Sequence, residues 1–135
     1  MSEAIFQKIA RIREILKTID QIKGNCADKF NSDVIFRGAL LHYLYLMADS
    51  CISLGELVIK LKDLRSPQSY HETIDILGEA RILDEEFAYD FAKIAGFRNF
   101  LAHDYQKINK AMICDSLDKK INDVNSFIAQ IETVL

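Results

Sequence analysis

Apolar residues recur at helical spacing along most of the chain, which indicates a protein built from helices. Near the N-terminus the apolar residues are separated by steps of four and three positions, with arginines and lysines between them: Ile5, Ile9, Ile12, Leu16 and Ile19. Residues three and four apart lie on one face of an α-helix. The pattern therefore predicts an amphipathic helix over about residues 4–23.

A second pattern, over about residues 33–62, is apolar around most of its circumference, which predicts a central helix. The segment 24–32 is expected to be a loop between the two helices. The stretch 39–61 has the length of a membrane span, but Asp49 lies near its middle. A charge at the centre of a bilayer costs about 2.5–3.5 kcal/mol on the insertion scale. We therefore expect this helix to be buried in a bundle and not in a membrane.

Three further helices follow a break at RSPQS, residues 65–69, which contains the only proline. Ser69 and Glu72 have the spacing of a capping box, so a third helix is predicted up to about residue 81. Asp84 is suited to cap a fourth helix, which we expect to fray near His103. A fifth helix should begin near Asn109, since apolar residues follow it at helical spacing.

The chain is expected to fold as one unit over residues 1–135. It has 135 residues, of which half are apolar, and this suffices for a sizeable core. One proline and five glycines leave little turn chemistry for many short strands. The fold class predicted is all-α, an antiparallel bundle of about five helices.

Charge and cysteine content indicate which partners and which cellular compartment to expect for the protein. The net charge of −3 gives no general affinity for nucleic acid, so any such contact requires a local basic patch. The N-terminal residues lack the apolar core and cleavage site of a signal peptide. The cysteines Cys26, Cys51 and Cys114 lie in apolar surroundings without CxxC spacing. We expect them to be buried, reduced thiols of a cytoplasmic protein.

The segment GFRNFLAHDY, residues 96–105, brings together Arg98, Asn99, His103 and Tyr105. On an ideal helix, five residues amount to about 500°, so the side chains of Arg98 and His103 would point about 140° apart. For the two to cooperate, either the helix must loosen before His103 or a second copy of the chain must complete the site. Tyr105 would lie on the same side as His103 if the chain is extended there.

Each of these residues has an ordinary structural role as well as a chemical one. An arginine or histidine near a helix C-terminus stabilises the dipole by about 0.3–1 kcal/mol, and a tyrosine there often packs its ring. Chemically, an imidazole transfers protons at neutral pH, and a guanidinium binds phosphate. One of each is a minimal set for cleaving RNA. The sequence has no metal-ligand, phosphate-loop or nucleophile-elbow motif, so we expect no metal and no cofactor.

The order Arg98-Asn99-x-x-x-His103-x-Tyr105 resembles the RX4HXY motif of HEPN-domain proteins, and GFRNFLAHDY is similar to the HepT-type branch of that family. The likeness extends to the second helix, FRGALLHYLYLMADSCISLGELV, and to SYHETIDILGEARILDEEFAYDFAKIAGFRN, which is similar to the family's third and fourth helices. The resemblance covers roughly residues 5–130.

The resemblance implies a toxin of a type II or type VII toxin–antitoxin module. It implies an all-helical homodimer that cleaves RNA without a metal. The implied partner is a minimal nucleotidyltransferase antitoxin, which silences the toxin by attaching AMP to the motif tyrosine. Carried over to this chain, the resemblance makes Arg98 and His103 the catalytic pair, Asn99 a supporting residue and Tyr105 the AMPylation site.

Three questions stay open at the level of sequence. Asp49 either lines the cleft or is an acid paired inside the bundle. Lys107 and Lys110 are the first candidates for a local basic patch that contacts RNA. The alternatives to a ribonuclease are a non-catalytic HEPN module that binds RNA or nucleotide, and a helical assembly scaffold. The presence of both Arg98 and His103 favours the ribonuclease, since a scaffold needs neither.

Overall fold

The computed structural model describes residues 3–135, and the regular structure in that range is helical. The α-helices are α1 (Glu3–Ile22), α2 (Cys26–Lys29), α3 (Val34–Leu61), α4 (Tyr70–Glu79), α5 (Glu85–Phe91), α6 (Ile94–His103), α7 (Lys110–Cys114) and α8 (Leu117–Glu132). Short 3-10 turns lie at Lys23–Asn25 and Tyr105–Lys107. The all-α prediction is confirmed, and the five predicted helices correspond to the regions of α1, α3, α4, α5–α6 and α7–α8.

Helix α3 is the centre of the bundle, with α1, α4 and α6 packed against it. The apolar stripe of α1 faces inward as predicted, and Ile12 and Ile19 are fully buried. Leu44, Leu54 and Val58 of α3 are equally buried. No helix formed by residues 3–135 is long and apolar enough to cross a membrane. The interpretation of α3 as a bundle helix is therefore confirmed.

The predicted fourth helix is interrupted at Ala92 and Lys93, which separate α5 from α6. Lys93 N donates to Asp90 O at 3.2 Å and Ala95 N donates to Ala92 O at 3.1 Å, both bonds of the tighter 3-10 type. Neither glycine nor proline marks the break, so no local signal in the sequence predicted it. As a consequence, α5 packs on α4 while α6, which carries the motif, packs on α3.

Two other connections differ from expectation. The predicted fifth helix divides into α7 and α8 at Asp115 and Ser116, where Ser116 N donates to Ile113 O at 3.2 Å and the Ser116 hydroxyl donates to Met112 O at 3.0 Å. The segment predicted as a loop over 24–32 contains the single helical turn α2. The predicted helix starts hold: Asp84 caps α5, and Asn109 caps α7.

The capping box at α4 is formed in part. The hydroxyl of Ser69 accepts from Glu72 N at 3.1 Å, as predicted. The carboxylate of Glu72 accepts from Gln68 N at 2.9 Å and not from the backbone of Ser69. The helix start is therefore fixed by two hydrogen bonds, one of which reaches a residue outside the motif.

The prediction of three reduced thiols is wrong for two of the cysteines. Cys26 of α2 and Cys114 of α7 form a disulfide, with a Cα–Cα distance of 5.7 Å. The pair is separated by 88 residues, and pairing at such a distance has no local sequence signal. Cys51 is free and buried, as predicted. Burial in the core raises the pKa of its thiol, which keeps it protonated.

Candidate active site at the end of helix α6

Helix α6 positions the motif against α3. Its buried residues Ile94, Ala95 and Leu101 anchor it in the core. The helix ends at His103, where Asp104 N donates to Phe100 O at 2.9 Å. The predicted end near His103 is confirmed. The motif residues therefore begin inside a packed helix and finish at its exposed C-terminal end.

Arg98 is held by hydrogen bonds along its guanidinium edge. Nε donates to Asp49 Oδ1 at 3.1 Å, Nη2 donates to the Tyr45 hydroxyl at 3.1 Å, and Nη1 donates to Asn99 Oδ1 at 3.2 Å. An arginine has five N–H donors, so these three bonds leave one donor on each terminal nitrogen. A guanidinium N–H donates a charge-assisted hydrogen bond to a phosphate oxygen.

Two tyrosine rings also contact the same guanidinium. The Cζ atom of Arg98 lies 5.2 Å from the ring centroid of Tyr45 and 4.8 Å from that of Tyr70. Both distances are within the range of cation–π attraction. The side chain of Arg98 is only 16% exposed, so the guanidinium is fixed in direction and largely shielded from water.

The surroundings of Arg98 also fix its charge. Burial by itself lowers the pKa of Arg98, but the hydrogen bond to Asp49 and the nearby Tyr45 and Tyr70 raise it, and the net shift is upward. An arginine is protonated throughout the physiological pH range in any case. The site therefore presents a permanent positive charge at a defined position.

The structure answers the question left open about Asp49. This residue is the ion-pair partner of Arg98, and its side chain is 41% exposed. It is neither a fully buried acid nor a free group lining a cleft, since it orients the arginine from the edge of the bundle. Asn99, the predicted supporting residue, contacts the same guanidinium from the exposed side.

Sequence reasoning missed Tyr45 and Tyr70. Tyr45 stands four residues before Asp49 on α3, and this spacing placed both on one helix face. That signal was available in the sequence. Tyr70 is the first residue of α4, and it meets Arg98 only because α4 packs near α6. No local pattern could have identified it.

His103 is exposed and is the last residue of α6. Within residues 3–135 its imidazole makes no hydrogen bond. Helix α6 is unbroken from Arg98 to His103, so the two side chains point about 140° apart. The helix does not loosen before His103, and one chain does not bring the two groups to one face.

The chain after His103 is not extended, so the condition for placing Tyr105 beside His103 does not hold. Asp104 has φ −116° and ψ 32°, and Tyr105 opens a 3-10 turn. Tyr105 is 47% exposed. Its hydroxyl lies over Gly38 of α3, where an added Cβ would be 3.6 Å away. The tyrosine is therefore accessible and rests against α3.

A pocket of about 330 Å³ lies beside Tyr105, between α3 and the end of α6. Its lining is Gly38, Leu41, His42, Tyr45, Leu101, Ala102 and Tyr105. Tyr45 therefore touches both the Arg98 cluster and this pocket, which links Arg98 to Tyr105 across α3. His103 is not part of the lining. His42, which sequence reasoning set aside, is part of it.

The two lysines proposed to contact RNA are exposed, as such a role requires. Lys107 lies in the 3-10 turn after Asp104, and its Nζ is 3.9 Å from the Asp104 carboxylate. Lys110 is the first residue of α7.

Among the described residues, no group of three or more His, Cys, Asp or Glu side chains is arranged to hold a metal ion.

Known proteins are similar to this chain in sequence and in fold. The chain is 25% identical over 128 residues to the mRNA nuclease HepT of Shewanella oneidensis, covering 95% of this chain and 96% of that protein. Its fold matches the tri-AMPylated HEPN toxin of Shewanella oneidensis, solved in complex with an MNT antitoxin, with a TM-score of 0.89 and 25% identity. That match covers 98% of this chain and 99% of the other.

A further solved structure shares the fold. It is a toxin–antitoxin complex with AMP-PNP, with a TM-score of 0.87, 24% identity and coverage of 96% of this chain and 97% of that chain. The model of the family Ribonuclease HepT-like matches residues 5–131, close to the range of the resemblance noted in the sequence. The chain belongs to the Ribonuclease HepT-like family.

Proposed function

We propose that this chain is a metal-independent RNA endonuclease and the toxin of a toxin–antitoxin module. The observation that carries the proposal is Arg98, which is clamped by Asp49, Tyr45 and Tyr70 and keeps two N–H donors for a phosphate. Arg98 lies on the same helix as the exposed His103. A relative of this chain is an mRNA nuclease. A phosphate bound at Arg98 has its charge balanced by a fixed cation.

The chemistry assigned to the pair is transesterification within the RNA. An imidazole removes the proton of a 2′-hydroxyl, and the oxygen attacks the adjacent phosphorus. Arg98 stabilises the negative charge that develops on the phosphate oxygens. A protonated imidazole donates a proton to the departing 5′-oxygen. The products are a 2′,3′-cyclic phosphate and a 5′-hydroxyl, and no redox partner or metal is needed.

This reaction uses a base and an acid, whereas each chain supplies one motif histidine. We propose a homodimer in which the two copies of residues 98–105 face a common cleft. The support is the geometry of α6, which turns His103 away from Arg98 of its own chain. Light scattering at micromolar concentration should give the mass of a dimer. A monomer with full activity would contradict this arrangement.

Cleavage of cellular mRNA by purified protein tests the catalytic assignment. We expect His103→Ala and Arg98→Ala each to remove most of the activity, with the histidine worth about 10²–10⁴ in rate. His71→Ala is the matched control, because His71 is also exposed but pairs only with Asp75 on α4. Activity should survive in EDTA. Full cleavage by His103→Ala with a lower melting temperature would assign the histidine a structural role.

Contact with RNA is proposed to include Lys107 and Lys110. Each phosphate contact that is lost reduces the salt dependence of binding by about one unit of slope in a log–log plot. Lys107→Ala and Lys110→Ala should therefore flatten that plot. Lys29→Ala, an exposed lysine of α2, should not change it. Equal slopes for the wild type and all three variants would exclude Lys107 and Lys110 as phosphate contacts.

We propose that Tyr105 is the site at which a minimal nucleotidyltransferase antitoxin attaches AMP. The support is its exposure, its position beside the pocket that Tyr45 shares with Arg98, and the tri-AMPylated state of a relative. An AMP group there adds negative charge and occupies space near the phosphate site. RNA is thereby excluded from the site while the fold is unchanged. The reaction and its control are proposed to take place in the cytoplasm.

Intact-mass spectrometry after co-expression with the nucleotidyltransferase tests this control. We expect increments of AMP mass on the wild-type chain and none on Tyr105→Phe, which should stay active. Tyr89→Phe is the matched control, because Tyr89 is 80% exposed on α5 and should leave the increments unchanged. Increments that persist in Tyr105→Phe, or modified protein that cleaves RNA at the full rate, would exclude the mechanism.

A further inference from the structure

A second pocket, of about 280 Å³, lies between α8 and the α5–α6 junction. Its walls are apolar: Met47, Phe91, Ile94, Phe97 and Val124. Met47 and Val124 are each 1% exposed, so they form a floor that reaches the core. No residue of the segment 98–105 lines this pocket. It is therefore a feature separate from the candidate active site.

The charged rim of this pocket is almost fully paired. Lys119 Nζ donates to Asp123 at 2.8 Å and to Asp90 at 3.1 Å. Lys93 Nζ donates to the other oxygen of Asp90 at 3.3 Å. Both carboxylates of the rim are therefore occupied by lysines other than Lys120.

Lys120 is the exception. It lies at the pocket, partly buried, with its Nζ 4.3 Å from the ring centroid of Phe97. It has no ion-pair partner within residues 3–135. Burial and the neighbouring Lys119 lower the pKa of Lys120, and the attraction of Asp123 and Asp90 does not make up for them. An ammonium partly removed from water without a carboxylate gains free energy from a bound anion.

The net charge around the pocket indicates the charge of such an anion. Three lysines (Lys93, Lys119, Lys120) and two aspartates (Asp90, Asp123) line it, which leaves a charge of 3 − 2 = +1. A monoanion neutralises this charge, whereas a phosphate dianion would exceed it beside two carboxylates. The volume of about 280 Å³ is near the lower limit of ligand pockets, which hold roughly 300–1,000 Å³, so the occupant is small.

We propose that this pocket binds a small amphipathic monocarboxylate, with the carboxylate paired to Lys120 and the hydrocarbon body packed on Phe91, Ile94 and Phe97. The apolar walls supply the affinity for the body, and the ammonium of Lys120 supplies the preference for an acid over an alcohol or an amine. The binding is noncovalent, and it does not depend on the proposed RNA cleavage.

Titration of the full chain with three eight-carbon probes tests the proposal. Isothermal calorimetry and thermal melts are recorded with sodium octanoate, 1-octanol and octylammonium chloride, all below their aggregation limits. We expect octanoate to bind one site per chain and to raise the melting temperature. Octanol should bind more weakly, by about tenfold, because a hydrogen bond to a charged group is lost. Octylammonium should not bind.

Variants separate the pocket from nonspecific binding of a fatty acid. Lys120→Met keeps the apolar stem and removes the ammonium, so it should weaken octanoate by about tenfold and leave octanol unchanged. Lys29→Met, an exposed lysine of α2, is the matched control and should bind octanoate as the wild type does. Failure of octanoate to bind the wild type, or equal binding by Lys120→Met, would overturn the proposal.

The location of the ligand is checked independently of affinity. Amide chemical shifts of isotope-labelled protein should change around Phe91, Ile94, Phe97 and Val124 when octanoate is added. They should be unchanged near Gly38 and Tyr105, which line the other pocket. Shifts confined to the Tyr105 pocket, or distributed over the whole surface, would also overturn the assignment.

Discussion

Arg98 receives its orientation from three different helices. Asp49 and Tyr45 come from α3, Tyr70 from α4, and Asn99 from α6 itself. The hydrogen bonds fix the direction of the guanidinium, and the two cation–π contacts add attraction that holds it in place. A cation preorganised in this way stabilises developing charge without first having to reorient. Tyr45 and Tyr70 therefore act on the proposed reaction through Arg98.

Replacing Tyr70 tests this positioning role. Tyr70 is 39% exposed, so Tyr70→Ala should have little effect on folding. It removes one cation–π contact of about 0.5–2 kcal/mol, which corresponds to a loss of roughly two- to thirtyfold in RNA cleavage. Tyr70→Phe keeps the ring and should restore the rate. Single-turnover cleavage assays beside thermal melts provide the measurement.

The matched control for Tyr70→Ala is Tyr89→Ala, because Tyr89 is exposed and makes no hydrogen bond or cation–π contact with an arginine within residues 3–135. It should cleave RNA as the wild type does. A Tyr70→Phe variant as slow as Tyr70→Ala would indicate that the hydroxyl, and not the ring face, is what matters at this position.

At the scale of elements, the approach of neighbouring helices depends on small residues. Gly55 of α3 faces α4, where an added Cβ would lie 2.9 Å from Thr73 Cγ2. Gly78 of α4 faces α5, where an added Cβ would lie 2.7 Å from the Cβ of Ala88. Helix α4 is therefore held close to both neighbours, and this packing keeps Tyr70, at its start, near α6.

Gly78→Ala should destabilise the protein although alanine is the better helix former. The new methyl group overlaps Ala88, and overpacking typically costs about 1–3 kcal/mol. Over most of that range the cost exceeds the gain of about 1 kcal/mol from helix propensity, and the 2.7 Å overlap favours the upper part. Gly96→Ala in α6 is the control, since no atom lies within 4 Å of the added Cβ. It should stabilise the protein by about 0.4–1 kcal/mol.

Urea unfolding of both glycine variants gives the two free energies of unfolding. Equal changes in the same direction would show that helix propensity, and not the contact between α4 and α5, decides the effect at Gly78.

The helices and their starts followed from the sequence, whereas the interruptions did not. Ser69 and Asp84 were recognised as caps because a cap depends on residues two or three positions away, and the start near Asn109 followed from the apolar spacing after it. The break at Ala92 and Lys93 contains two good helix formers. At the break the packing partner changes, from α4 for α5 to α3 for α6, and no window of local sequence contains that information.

At the scale of the whole molecule, the disulfide connects two distant parts of the chain. Cys26 and Cys114 are separated by 88 residues, so the bond closes a loop over most of the chain. It fixes α2 to α7, the helix that follows the segment of Tyr105 and Lys107. Cytoplasmic thiols are normally kept reduced, so the bond is expected to open in that compartment.

Reduction should lower the stability of the protein. A disulfide that closes a loop of this length contributes roughly 2–5 kcal/mol to the free energy of unfolding, chiefly by restricting the unfolded chain. Dithiothreitol should therefore decrease the denaturation midpoint of the wild type. Cys114→Ser should have the lower midpoint from the start and should not respond to the reductant. A midpoint of the wild type that is insensitive to reductant would contradict a closed disulfide.

The sequence by itself determined the helical class, most helix boundaries and the position of the motif at the end of α6. These features depend on residues within one or two helical turns of each other. Periodicity, caps and motif spacing are sequence signals over such short distances. The separation between Arg98 and His103 along the helix was calculable in the same way. It predicted that the two side chains point in different directions, and in the unbroken α6 they do.

Only the tertiary structure decided what surrounds those residues. Asp49 and Tyr45 lie 49 and 53 positions from Arg98 along the chain, and Cys26 lies 88 positions from Cys114. The same holds for Lys120, which has no ion-pair partner within residues 3–135, while Lys119 is bound to both Asp90 and Asp123. Contacts of this kind depend on how helices pack on one another. The pattern of residues along the chain specifies which face of a helix is apolar, but it does not specify which other helix packs on that face.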